Sequence, residues 1–147
     1  MSAAGYILAI NIFVAGLFAT AFGLVALYSR SRLGARWLCL AYSLAILNSL
    51  LEFALPSQSN TVPMEVLIFA VALAAFIIVV IGLADHYELS VPWGTLAAFA
   101  LLSMALNLLT LELPYRSLLR NVLYQAPYAI IHIIAAWVVL LKKAESS

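Results

Sequence analysis

Apolar runs of about 20 residues alternate with short polar breaks along the whole chain, and each run is long enough, at about 1.5 Å per helical residue, to cross a hydrocarbon core of about 30 Å. They place five helices at about Tyr6–Tyr28, Arg36–Leu55, Met64–Ala84, Val91–Leu111 and Leu118–Leu141. The breaks SRSRLGAR, PSQSNTVP, DHYELS and LPYRS separate them, and three of the four carry charge. The first run has no Lys or Arg ahead of it and outlasts a secretory signal, so it reads as a membrane span. The expected fold is all-α: one transmembrane domain over residues 1–147, built as an integral membrane helical bundle.

Composition supports that pattern. Of 147 residues, 67% are hydrophobic and 9% charged, and the mean hydropathy of +1.13 lies outside the range of a soluble globular domain. A net charge of +1 favours neither nucleic acid nor a polybasic lipid clamp, so the lipid bilayer is the expected partner and nucleic acid is not. Cys39 is the single cysteine, which excludes an intrachain disulfide and a thiolate cluster.

Charge also suggests an orientation. Arg30, Arg32 and Arg36 follow the first span, whereas PSQSNTVP carries no basic residue. Basic loops stay cytoplasmic, which puts the N-terminus outside and Lys142 and Lys143 inside, against Arg116 and Arg120 outside. Two internal similarities invite a duplicated-hairpin reading. Ile12–Tyr28 resembles Ile68–Ala84, Trp37 and Trp93 open the following helices at the same offset, and those helices end alike in LNSLLEFALP and LNLLTLELP. Chance similarity of apolar sequence is the alternative. Gly16, Thr20 and Gly23 have near the small-residue spacing that lets helices approach closely, within the chain or between copies.

Polar residues inside the spans matter most for function. With the N-terminus outside, Asn11, Asn48, Glu52, Asn107, Gln125 and Tyr128 all fall within about ten residues of the outer helix ends, in one layer of the bilayer. Asn48 and Glu52 are spaced i, i+4; Gln125, Tyr128 and His132 are spaced i, i+3, i+7, so each set shares a helix face. Helix 3 has no strong polar residue between Leu67 and Gly82. Pro127 removes a backbone donor, frees a carbonyl near Leu123 and is expected to bend helix 5 there. One reading is an outward-facing ligand pocket lined by Asn11, Asn48, Glu52, Asn107, Gln125, Tyr128 and, deepest, His132. The other is interhelical hydrogen bonding that only fixes the bundle, worth about 1 kcal/mol per bond. Glu52 must pair, snorkel or become protonated, and Arg120 and Arg116 are its candidate partners.

His132 and His86 lie too far apart along the bilayer normal to clasp one haem, and no His or Cys spacing suggests a metal, so no cofactor is expected. Phosphate loops, HExxH and nucleophile elbows are missing, so the chain itself is not expected to be an enzyme. Asp85, His86 and Glu88 read as a solvated connection between helices, with a small titratable site as the alternative.

The patterns FVAGLFATAFGLVALYSRSRLGARWLCLAYSLAILNSLLEF, GLADHY and LLRNVLYQAPYAIIHIIAAWVVL resemble the N-terminal membrane region of alphaproteobacterial diguanylate cyclases that carry a GGDEF domain. That resemblance implies a multi-pass sensory module of the bacterial inner membrane, working as a homodimer and controlling cyclic di-GMP synthesis by a catalytic domain not in this chain. Such regions look as if they have more spans than five, and no GGDEF motif is present here. The sequence is then a piece of a longer cyclase or a short relative without its output; the odd helix count leans toward a piece. A small-molecule or lipid ligand from the outer side is the expected signal. A small transporter or channel subunit, with Glu52 and His132 on a proton or ion path, is the first rival, and a purely structural anchoring or dimerisation module is the second.

Overall fold

The computed structural model describes residues 3–29, 32–57, 59–114 and 117–145. Arg30 and Arg116 lie outside the described residues, as do the side chains of Arg32, Lys142 and Lys143. All regular structure among the described residues is helical: α1 (Ala3–Tyr28), α2 (Arg32–Ala54), α3 (Val62–His86), α4 (Trp93–Thr110) and α5 (Leu118–Glu145), with a short 3₁₀ turn at Leu55–Ser57 after α2. Among the described residues, five helices are long and apolar enough to cross a membrane.

The helix ends follow local chemistry. Pro56 sits in the turn that closes α2, and Pro63 stands in the first turn of α3, where its missing N–H is no loss. Asn60 accepts a hydrogen bond from the Val62 backbone N–H at 3.2 Å just ahead of it. At the other end of α3, Leu89 N–H donates to the Ala84 carbonyl and Glu88 N–H to that of Asp85, with Glu88 at φ 58°. That is a Schellman closure, built without the usual glycine. The loop at Asp85–Glu88 is thus a helix stop. Helices α1, α2 and α5 begin or end several residues beyond the apolar windows because backbone hydrogen bonding continues into the interface, where polar side chains are tolerated.

Helix α3 is the hub, packing on α2, α4 and α5, while α1 packs along α2. It is also the most enclosed: 39% of its apolar window is buried, against 6% for α1. Outward faces such as Phe13, Leu17 and Leu27 on α1 and Leu101 and Leu102 on α4 are exposed, as lipid-facing residues are. The expected small-residue contact on α1 takes a different form. A Cβ at Gly16 would meet nothing within 4 Å, and one at Gly23 would meet only Cys39 Sγ at 3.5 Å. The closest approach is elsewhere, where Gly34 of α2 crosses Gly82 of α3: a Cβ on Gly34 would stand 3.1 Å from the Gly82 carbonyl oxygen. The two proposed hairpins differ in packing, since α1 and α2 adhere along their length whereas α3 and α4 meet over a shorter stretch.

Near this crossing lies the compact core: Val80, Ile81, Leu96 and Ile131, with Trp37, Phe76, Ile77, Val91, Phe99 and Ile134 packed around them. It sits toward the α3–α4 loop end. Toward the α2–α3 loop the side chains of Ile68, Phe69, Leu73 and Thr110 are buried as well.

Candidate functional site: a groove between α2 and α5

Toward the α2–α3 loop, α2 and α5 stand apart on either side of α3 and leave a groove. Its larger part has a volume of about 490 Å³ and is lined by α1, α2, α3 and α5; an adjoining part of about 330 Å³ shares Asn48, Glu52, Ala72, Phe76 and His132 with it. Sites for small molecules commonly fall in this size range. Alanines keep it open, with Ala41 and Ala45 on α2, Ala72 and Ala75 on α3, and Ala15 and Ala135 at the flanks.

Six of the seven residues expected at a pocket are brought together here. Asn11, Asn48, Glu52 and His132 line the larger part, and Gln125 and Tyr128 line the adjoining one with Tyr124. Asn107 does not belong with them. It is buried at 3% exposure on the inward face of α4, beside Ser103 and Thr110, and its Oδ1 accepts no hydrogen bond among the described residues. Equal depth in the bilayer was a poor guide to position, because the rotation of α4 about its own axis turns Asn107 into a separate polar stripe. Leucine at this position is therefore expected to leave ligand binding unchanged and to raise stability by about 1 kcal/mol, since an unpaired buried carbonyl is removed. A thermal midpoint that falls for Asn107→Leu would show that the amide has a partner.

Charges pair differently from the sequence expectation. Arg120 at the start of α5 bridges to Glu65 in the first turn of α3 at 3.0 Å, with both side chains largely enclosed. The carboxylate of Glu52 takes instead a hydrogen bond from its neighbour one turn back, Asn48 Nδ2–H to Glu52 Oε1 at 2.7 Å. Asn48 Oδ1 is buried and accepts no hydrogen bond among the described residues. Glu52 has no cationic partner among the described residues. Among the described residues it is also the single charged side chain in the groove lining.

Helix α5 runs continuously through the buried Pro127. One turn further on, His132 Nδ1 lies 2.6 Å from the Tyr128 carbonyl oxygen. A carbonyl oxygen only accepts, so Nδ1 carries the proton, which in the neutral ring leaves Nε2 as an acceptor. The histidine is therefore half satisfied by its own helix, and its second nitrogen has no partner among the described residues. An aromatic ladder holds it against α3: Phe76 lies 4.7 Å from the His132 ring and 5.5 Å from that of Tyr128, and Phe69 lies 5.3 Å from Tyr128 and 5.4 Å from Tyr124. On the opposite wall Phe18 stacks on Tyr42 at 5.0 Å.

The floor of the groove, Ala72, Ala75, Phe76 and Val79, was missed by a search for polar residues because α3 offers none at this depth. The signal for it was the small-residue run AVALAA, Ala70–Ala75, in the middle of a span. Among the described residues no group of His, Cys, Asp and Glu could hold a metal ion. Comparison with protein-family models, curated proteins and solved structures finds no match for this chain.

Proposed function

We propose that the chain is the ligand-sensing part of a membrane signalling protein, and that the groove between α2 and α5 is its receptor site. The observation that carries this reading is the division of the bundle into two halves. The half toward the α2–α3 loop holds an open groove in whose lining Asn48 Oδ1 has no partner among the described residues, and the half toward the α3–α4 loop is closed by the Gly34–Gly82 crossing and the Val80, Ile81 and Leu96 core, with Ile131 at the border between them. A groove that ends on an apolar core is suited to binding from one side, and this weighs against a channel. The resemblance to membrane regions that precede GGDEF domains supports a regulatory output at the α5 end, in a homodimer of the bacterial inner membrane. The basic residues near the α1–α2 turn and the end of α5 support a cytoplasmic position for those ends, which opens the groove outward.

In this mechanism a ligand binds between α2 and α5 and shifts the equilibrium between two placements of α5 by binding them unequally. Helix α5 transmits because it both lines the groove at Gln125, Tyr128 and His132 and runs on to Glu145. Purified in phospholipid nanodiscs, the chain is expected to retain a small molecule that solvent extraction and mass spectrometry recover. Ala72→Phe or Ala45→Phe, which fill the groove, should cut that retention at least about tenfold. Loading should also slow amide exchange in α5 beyond Pro127. Retention that ignores both plugs, or loading that leaves α5 unchanged, rejects the reading. Flux of the same ligand into liposomes, dependent on Glu52, would replace it with a transporter.

A further inference from the structure

We infer that the groove selects a lipophilic amine in its protonated, N–H-bearing form; this rests on the groove being a receptor site. Among the described residues, the buried side-chain polar atom of the lining that lacks a partner is an acceptor. Asn48 Oδ1 is buried and unpaired, Glu52 holds one hydrogen bond from Asn48 and no cation, and His132 commits its N–H to the Tyr128 carbonyl, which leaves Nε2. Glu52 is exposed at the open side of the groove, and a carboxylate placed within a membrane-spanning helix favours a compensating charge or hydrogen-bond donors. Arg120, the cation at the same end of the bundle whose side chain is described, is engaged by Glu65. An ammonium group supplies both the missing charge and the missing donors.

The surrounding walls fit the rest of such a molecule. Tyr124, Tyr128 and Phe76 present a run of ring faces and edges beside the acceptors, and cations are attracted to aromatic faces within about 6 Å. Deeper in, Ala41, Ala45, Ala72, Ala75 and Val79 offer an apolar slot without a donor or a charge. The head of the ligand would lie at Glu52 and Asn48 and its hydrocarbon body along α3. An anionic ligand would meet the Glu52 carboxylate with no described cation in the lining to offset it. A quaternary ammonium would satisfy the charge but leave Asn48 Oδ1 unpaired.

Three probes of one shape test this: 4-(1-naphthyl)butylamine, the corresponding alcohol and the corresponding carboxylic acid. Each is titrated calorimetrically into wild-type chain in phosphatidylcholine nanodiscs, with empty nanodiscs subtracted for lipid partition. The amine is expected to bind saturably and at least about tenfold more tightly than the alcohol, with no saturable binding of the acid. Glu52→Gln should weaken the amine by about tenfold or more and leave the alcohol unchanged. Asn48→Leu should narrow the preference for the primary amine over its trimethylammonium derivative. Thermal midpoints of both variants establish that they are folded. If the alcohol binds as tightly as the amine, or Glu52→Gln has no effect, while Ala72→Phe still abolishes binding, the charge assignment is overturned and the groove stands as a receptor for neutral ligands. If no probe shows saturable binding that Ala72→Phe removes, the amine proposal falls; the receptor reading is then decided separately, by whether the plugs alter the retained molecule.

Discussion

A single methyl group added at Gly34 is expected to destabilise the bundle by about 2 kcal/mol, and a larger side chain at Gly82 by about 3 kcal/mol or more. The Cβ of Gly34→Ala would lie 3.1 Å from the Gly82 carbonyl oxygen, 3.2 Å from His86 Cβ and 3.3 Å from His86 Cα. Two of these three are backbone atoms, which cannot swing aside, so α2 and α3 must separate. At Gly82 a Cβ would meet Trp37 Cβ at 3.1 Å and Leu38 Cγ at 3.3 Å, and Gly82→Leu adds three more carbons to the same space. Because α2 carries α1 with it, separation at this point loosens two helices from the hub. The measurement is the thermal midpoint in detergent, followed by tryptophan fluorescence in a variant that keeps Trp37 and carries Trp93→Phe and Trp137→Phe. Gly16→Ala provides the control, since its Cβ meets nothing within 4 Å. Alanine there should be neutral or stabilising by up to about 1 kcal/mol through helix propensity. Equal midpoints for Gly34→Ala and Gly16→Ala would remove the crossing from the account of stability.

Loss of one partner from the Arg120–Glu65 bridge is the second large effect, at about 2 kcal/mol, somewhat below the 3–5 kcal/mol typical of a fully buried pair. The side chains are 15% and 20% exposed, so each charge is largely removed from solvent but not sealed. Arg120→Met leaves the Glu65 carboxylate enclosed without its cation, and Glu65→Leu leaves the guanidinium in the same position. Replacing both is expected to recover most of the loss, because the cost of two desolvated charges disappears with them. The double-mutant cycle is read from thermal midpoints at low and high salt. A double variant as unstable as the sum of the two single ones would show that the pair does not act as a unit. The bridge has a bearing on the groove as well. By holding Arg120 it leaves Glu52 without that cation, so Arg120→Met should leave amine binding in place if the variant is folded.

The spans were legible because a membrane helix is a local property: an apolar run of sufficient length satisfies its own backbone hydrogen bonds and needs no partner to be recognised. The same locality made the i, i+4 pair Asn48–Glu52 readable, and it is realised as a hydrogen bond at 2.7 Å. The shared stripe of Gln125, Tyr128 and His132 on α5 was equally visible, since it needs one helix only. Partner choice between helices was not. Arg120 stood in the sequence as a candidate for Glu52 and is taken by Glu65, two residues past Pro63 at the start of α3. Asn107 shares the depth of the groove residues but faces elsewhere, and depth along a helix says nothing of its rotation.

The sequence by itself determined five apolar helices, their order and the side chains that each can turn to one face, because hydropathy and the helical repeat act within a segment. Only the tertiary structure decided which faces meet. Side-chain volume at the crossings sets how closely α2, α3 and α5 approach: glycine at Gly34 and Gly82 lets backbones touch at one end, and alanines at Ala45, Ala72 and Ala75 leave unfilled space between the walls of the groove. That difference in volume, distributed over three helices far apart in the chain, is what turns a scattered set of polar residues into a groove.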